Sequence, residues 1–378
     1  MTAVMQCWKH LLVAGTAVAA LVAAPTPIVK MTDGDHKVVE VYAHRGARAF
    51  APENTIPAYK TGLRIGTNWM DCDIGVTKDG EVIISHDIWL NPDIVRKDGA
   101  FLAPSKGELA KGVPPEKLTE FLQPYLIKNL TLAEIKKLDV GRLNPTSPYA
   151  KFFPDQLPVD GTHMPTLREA IRFFNKETGG KVGFQIEIKT DPEHPDWTVS
   201  PDKFAAALYK VMKEEGIIDN AEIQAFDWSC LFALQKLDKN IRTAYLTEWD
   251  NEPIDPKLPD YVDSFYHPDP KVAGLWTGNK LVKDYHNSIP QMVKALGGTN
   301  WEPEDAELTK EALDEAHHLG LKVCTWTWPE HIGTTFDAKL IEKIIDWGVD
   351  GIITDDPGRL ISMLAARGYK VPERFHVQ

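Results

Sequence analysis

The chain has 378 residues, enough for one large domain or two ordinary ones, and either could bury a real core. Its 43% hydrophobic and 25% charged content is that of a soluble globular protein. A formal net charge of -12 excludes a broad basic surface for coating nucleic acid but leaves room for a local phosphate site.

Residues 1–24 read as a separate unit. Lys9 and His10 precede an apolar run over 11–24 that ends in the small residues Val22-Ala23-Ala24. The run is too short for a comfortable membrane span, and its layout is that of a secretory signal peptide. The expectation is a secreted or periplasmic protein with no stable membrane insertion of the mature chain. Cys7 leaves with the signal. Cys72, Cys230 and Cys324 are widely spaced in apolar segments without Cys-x-x-Cys spacing, and read as buried thiols.

From residue 38 onward, strand and helix alternate. Strands are predicted over 38–43, 69–76, 183–189, 221–226, 241–246, near 292–301, and over 321–328 and 350–354. Between them lie helices with clear start and stop signals. Asn54 or Thr55 caps the first, Thr166-Leu167-Arg168-Glu169 is a capping box, and Ser200 before Pro201 opens a helix stopped by Gly216. Two more, over 309–320 and 340–348, each end at glycine. Eight such repeats in an α/β chain predict a closed (β/α)8 TIM barrel over 38–370. The competing open doubly wound sheet lacks its glycine-rich fingerprint after the first strand. Residues 88–164, with one capped helix at Thr131-Leu132-Ala133-Glu134, exceed what a barrel needs and form an insertion after the second barrel strand. Residues 248–290 are a second long stretch.

Chemistry-bearing residues cluster at strand ends. Asp71 and Asp73 share one face of a strand while Cys72 points the other way, towards the helices. Two carboxylates one strand-step apart repel unless a cation sits between them, and oxygen-only ligation suits Mg2+ or Ca2+. Asp79-Gly80 predicts a two-residue hairpin that returns the chain to His86. His44 stands at a strand terminus beside Arg45 and Gly46, where glycine would allow the backbone to come close to a ligand. Two imidazoles can take and give the protons of phosphodiester cleavage, and a guanidinium can fork two phosphate oxygens. Glu187 and Lys189 share a face and add a third carboxylate and a second cation. Gln224, Phe226 and Trp326, near the ends of their strands, are candidate lining residues.

These residues resemble the glycerophosphodiester phosphodiesterase family. The resemblance runs through His44-Arg45-Gly46, Pro52-Glu53-Asn54-Thr55, Asp71-Cys72-Asp73, Thr77-Lys78-Asp79-Gly80, His86-Asp87, Pro165-Thr166-Leu167, Glu187-Ile188-Lys189, Trp326-Thr327 and the run from Gly348 to Asp355. The insertion is similar to that of the bacterial periplasmic-type branch. The resemblance implies a barrel with its site at the strand C-termini and hydrolysis of glycerophosphodiesters to glycerol 3-phosphate and an alcohol. It implies His44 and His86 as the acid/base pair, Arg45 and Lys189 on the phosphate, and one divalent metal ion on Asp71, Asp73 and Glu187. The family usually has glutamate where this chain has Asp71, so Glu53 is either a compensating ligand or a partner of Arg45. Two other readings stand beside this one. One is phospholipase D-like cleavage of lysophospholipids or sphingolipids, with Phe101, Phe121 and Leu122 lining an acyl channel. The other is a non-catalytic binding protein on the same barrel.

Overall fold

The computed structural model describes residues 32–33, 36–102, 115–248, 270–327 and 334–377. The predicted signal peptide and residues 249–269 of the stretch 248–290 lie outside the described residues. Eight parallel strands run β1 (Glu40–Ala43), β2 (Trp69–Val76), β3 (Gly183–Ile188), β4 (Ala221–Ala225), β5 (Arg242–Thr247), β6 (Asn300–Pro303), β7 (Lys322–Trp326) and β8 (Gly351–Thr354). Each pairs with the next, and β8 pairs with β1 through Thr354 and Ala43, so the sheet closes into a (β/α)8 barrel.

Helices α1 (Ile56–Ile65), α2 (Leu167–Thr178), α3 (Pro201–Glu215), α4 (Trp228–Leu237), α5 (Ile289–Ala295), α6 (Lys310–His318), α7 (Ala338–Trp347) and α8 (Pro357–Ala366) follow the strands in turn. Their starts obey local chemistry. Thr55 accepts the Ala58 N–H at the head of α1, Thr166 and Glu169 exchange the bonds of a capping box on α2, and Asp337 caps α7. Ser200 makes no capping side-chain bond, and Pro201 alone marks the entry to α3. The main core lies between sheet and helices: Met70, Cys72 and Ile74 of β2 pack outward with Leu63, Ile171 and Phe174. Cys72, Cys230 and Cys324 are buried and free.

Two local readings need correction. The segment predicted as the sixth strand opens in the last turn of helix α5, whose entry Ser288-Ile289-Pro290 is a capped proline start, and runs on through a loop. The strand begins only at Asn300. The hairpin after β2 has three loop residues, Lys78, Asp79 and Gly80, because Thr77 and Glu81 are already joined by a backbone bond and Gly80 takes φ +84°. The return arm Val82–Ile84 pairs antiparallel with Ile74–Val76 and delivers His86 beside the barrel mouth.

The described residues of 88–164 pack on this hairpin with a small core of their own, Leu90, Val95, Ile127, Ile135, Leu138, Val140 and Met164 around Ile83. Burial of each such Leu, Ile or Val contributes about 1.5–3 kcal/mol, enough to hold the unit against the barrel. Arg96 ties it internally, 2.5 Å from both Asp139 and Asp160. Leu122 is spent on packing with Leu126 and Trp197, and Phe121 leans on Tyr125. Phe101 lies under the Arg96 guanidinium.

Candidate active site

The site begins where β1 ends. His44–Gly46 form one tight turn in which Arg45 takes φ 48° and Gly46 φ 87°. A left-handed arginine costs on the order of 1–3 kcal/mol and persists only if its surroundings fix it. They do: the Arg45 N–H donates to Asp71 Oδ1 at 2.8 Å, and its carbonyl accepts from the Asn54 N–H at 2.9 Å. Gly46 is required for a different reason from the one its sequence suggested. A Cβ there would stand 2.8 Å from atoms of Ala58 and Tyr59, so the close approach is to α1 rather than to a ligand.

Strand pairing stacks the acids. Asp73 of β2 is in register with Glu187 of β3, and Asp71 with Gln185. Lys189 stands between Asp73 and Glu187, with Nζ 3.2 Å from Asp73 Oδ1 and ion-paired to Glu187. Arg45 reaches the other Asp73 oxygen, Nε to Oδ2 at 3.3 Å, and Asn54 Nδ2 donates to that oxygen at 2.7 Å. Burial opposes the charge on Asp73, but Lys189 and Arg45 outweigh it and hold the carboxyl well below its usual range. Burial pushes Glu187 up to about 8, against the pull of Lys189. It also raises Asp71, with His44 opposing and Asp73 adding to the rise.

The two imidazoles flank this cluster. His44 Nδ1 lies 2.6 Å from Asp355 Oδ1, and Asp355 is gripped by Arg48 through Nε at 2.5 Å and Nη2 at 3.1 Å. Burial would raise the Asp355 carboxyl, yet Arg48 and His44 hold it well below the carboxylate range. On the far side, the Ser85 N–H donates to the Asp73 carbonyl at 2.9 Å and so sets His86 beside the acids. Burial, with Arg45 and Lys189 close by, lowers His86 to about 3, so its ring is neutral near pH 7. A small pocket touching Glu53, Asn54, Ser85, His86, Asp87 and Asn91 opens there. A larger cleft lined by Lys37, Asp346 and Tyr369 sits at the opposite, N-terminal face of the barrel.

The remaining candidates fall into place around this centre. Glu53 holds Arg45, Nη1 to Oε1 at 2.8 Å. Gln224 Nε2 donates to Asp71 Oδ2 at 3.1 Å and so steadies that acid. Phe226 meets Trp326 edge-on with ring centroids 5.5 Å apart, and Lys189 lies 5.8 Å from the Phe226 ring. The Trp326 indole donates to the Glu302 carbonyl at 3.0 Å. Residues with no site role assigned from sequence are Arg48, Asn54, Tyr149, Asp355 and the interior pair Gln185 and Glu302. Burial drives the Glu302 carboxyl well up, and it accepts from Gln185 Nε2 at 2.7 Å beneath the acids.

A family model described as the glycerophosphoryl diester phosphodiesterase family matches residues 44–359. The chain belongs to that family. It is accordingly an enzyme, a phosphoric diester hydrolase. Among its relatives, the glycerophosphodiester phosphodiesterase of Caldanaerobacter subterraneus subsp. tengcongensis is 25% identical over 87% of this chain and 98% of its own. That of Bacillus subtilis is 28% identical over 83% of each. A solved structure assigned as a glycerophosphoryl diester phosphodiesterase of Silicibacter pomeroyi DSS-3 is 27% identical with a TM-score of 0.68, over 88% of this chain and 95% of that one. An Oleispira antarctica phosphodiesterase, solved with its product sn-glycerol-3-phosphate, shares the fold at 20% identity and a TM-score of 0.55, over 86% and 96% of the two chains.

Within this family member the donor chemistry suits a hard divalent cation: three buried carboxylates on adjacent strands, two of them with raised affinity for a proton. As they stand, no three Asp, Glu, His or Cys side chains among the described residues form a group ready to hold an ion. The Lys189 ammonium takes the cation's share between Asp73 and Glu187.

Proposed function

We propose that this protein hydrolyses glycerophosphodiesters to glycerol 3-phosphate and an alcohol, with one divalent ion and the pair His44 and His86. The observation that carries the reading is the double use of Asp73. Two cations, Arg45 and Lys189, meet on one carboxylate with an imidazole on either side. Turned to a bound phosphodiester, the same two cations would grip its non-bridging oxygens, Arg45 as a planar fork and Lys189 as a point charge.

The neutral ring of His86 is suited to accept a proton from the attacking oxygen, either water or the substrate's neighbouring glycerol hydroxyl. As that oxygen bonds to phosphorus, the bond to the departing alcohol breaks, and His44 gives the alcohol oxygen its proton. By the internal route the first product is a cyclic phosphate, which water then opens with the two rings exchanging roles. Asp355 on Nδ1 keeps the His44 proton traffic on Nε2 and balances the imidazolium. Asp71, Asp73 and Glu187 would hold Ca2+ or Mg2+, and Lys189 would then move from the acids to the phosphate. The ion would supply positive charge against the oxygens on which charge grows.

The apolar residues 11–24 support export, and with the insertion after β2 they favour a secreted or periplasmic member of the periplasmic-type branch. A substrate panel tests the activity. Glycerophosphocholine and glycerophosphoethanolamine should each release glycerol 3-phosphate in the presence of Ca2+ or Mg2+. Release of choline from lysophosphatidylcholine, or cleavage of sphingomyelin, without turnover of either glycerophosphodiester would overturn it.

A further inference from the structure

The insertion reaches the catalytic centre through one side chain. Tyr149 opens the short helix Tyr149–Phe152, and its hydroxyl accepts from Arg48 Nη1 at 2.8 Å while donating to Glu53 Oε2. Arg48 holds Asp355, which holds His44; Glu53 holds Arg45. The hydroxyl therefore closes an unbroken chain of polar contacts from the acid/base imidazole to the phosphate-gripping guanidinium. Both arginines and both acids in the chain are buried, so none can lean on water for its alignment.

The same segment clamps the loop that carries these residues. The Phe153 ring lies 4.8 Å from the Arg48 guanidinium, Gln156 Nε2 donates to the Arg48 carbonyl at 2.7 Å, and the Leu157 N–H donates to the Phe50 carbonyl at 3.0 Å. These contacts are made to the loop between β1 and α1, whose turn has a left-handed arginine that must be held from outside.

We infer that Tyr149 is a positioning residue for the hydrolysis: its hydroxyl sets Arg45 and His44 in register with each other, and makes the insertion a working part of the site. The inference rests on the proposed roles of His44 and Arg45. Tyr149→Phe keeps the ring against Phe153 and removes only the hydroxyl. Its kcat on glycerophosphocholine should fall about tenfold, a cost typical of a slightly misplaced catalytic group. The deciding measurement is nitrogen-15 NMR of labelled histidine, with the His44 ring assigned by its loss in His44→Ala. Wild type should show a proton fixed on Nδ1, and Tyr149→Phe a mixture of tautomers. An unchanged His44 spectrum in Tyr149→Phe overturns the inference whatever the turnover. If wild type cleaves no glycerophosphodiester, the proposed function fails, and the spectrum still decides the role of Tyr149.

Discussion

His44 and Asp355, 311 residues apart in the chain, are joined by a 2.6 Å contact that spans the seam between the first and last barrel strands. In the proposed mechanism this carboxylate would fix which ring nitrogen carries the proton and balance the charge the ring gains in turnover. Asp355→Asn keeps the shape but removes both effects. Its kcat should fall by up to about 10⁴, the loss seen when the aspartate orienting a catalytic histidine is changed to asparagine, with KM little changed. Steady-state kinetics checks this, and a near-normal kcat would show that the contact is merely structural.

Replacing either imidazole tests the proton traffic directly. His44→Ala and His86→Ala should each lower kcat by about 10²–10⁴ while circular dichroism and Tm report a folded barrel. If one of them turns over substrate at the wild-type rate, that ring is not in the acid/base pair.

The neutral state of His86 has a consequence for stability. Its folded pKa is lowered to about 3, whereas in the unfolded chain it is about 6.5. Between those values the unfolded chain binds the proton and the folded one does not, so this group's contribution to stability shrinks as pH falls. His86→Gln should flatten that dependence. Urea unfolding at pH 7 and pH 5 checks it: wild type should lose more stability than His86→Gln across the interval. Equal losses would mean that His86 is charged in the folded enzyme.

Cation binding can be read without following turnover. Ca2+ or Mg2+ added to chelator-treated protein should raise Tm, because a ligand that binds only the folded state stabilises it. Asp73→Asn should abolish the rise. EDTA should also remove activity, and either ion should restore it. Full activity after exhaustive chelation, with no ion-dependent change in Tm, would refute the metal role.

Much of this was legible in the sequence because it is local. The alternation of side chains along a strand put Asp71 and Asp73 on one face of the wholly buried β2, and caps such as Thr166 with Glu169 marked helix starts within one turn. The roles of Glu53 and Gln224 could be settled only by pairing. Glu53 meets Arg45 because the turn at His44–Gly46 folds back, and Gln224 meets Asp71 across the barrel. Asp355 carried a usable signal, an aspartate just past a strand's C-terminal end, where barrel enzymes keep their chemistry. Tyr149 carried none, since it lies 96 residues from Glu53 on a segment with no strand or helix rhythm. The fifth helix and sixth strand were blurred because an apolar run of that length reads equally well in either state.

The seam between β8 and β1 also ties the site to closure of the barrel. The ring on one side of it meets its acid only when the first and last staves are side by side. A nascent or partly unravelled chain could display nearly every group named above and still be inert. On the proposed mechanism, turnover would therefore require a closed cylinder, and the reaction would report that assembly is finished.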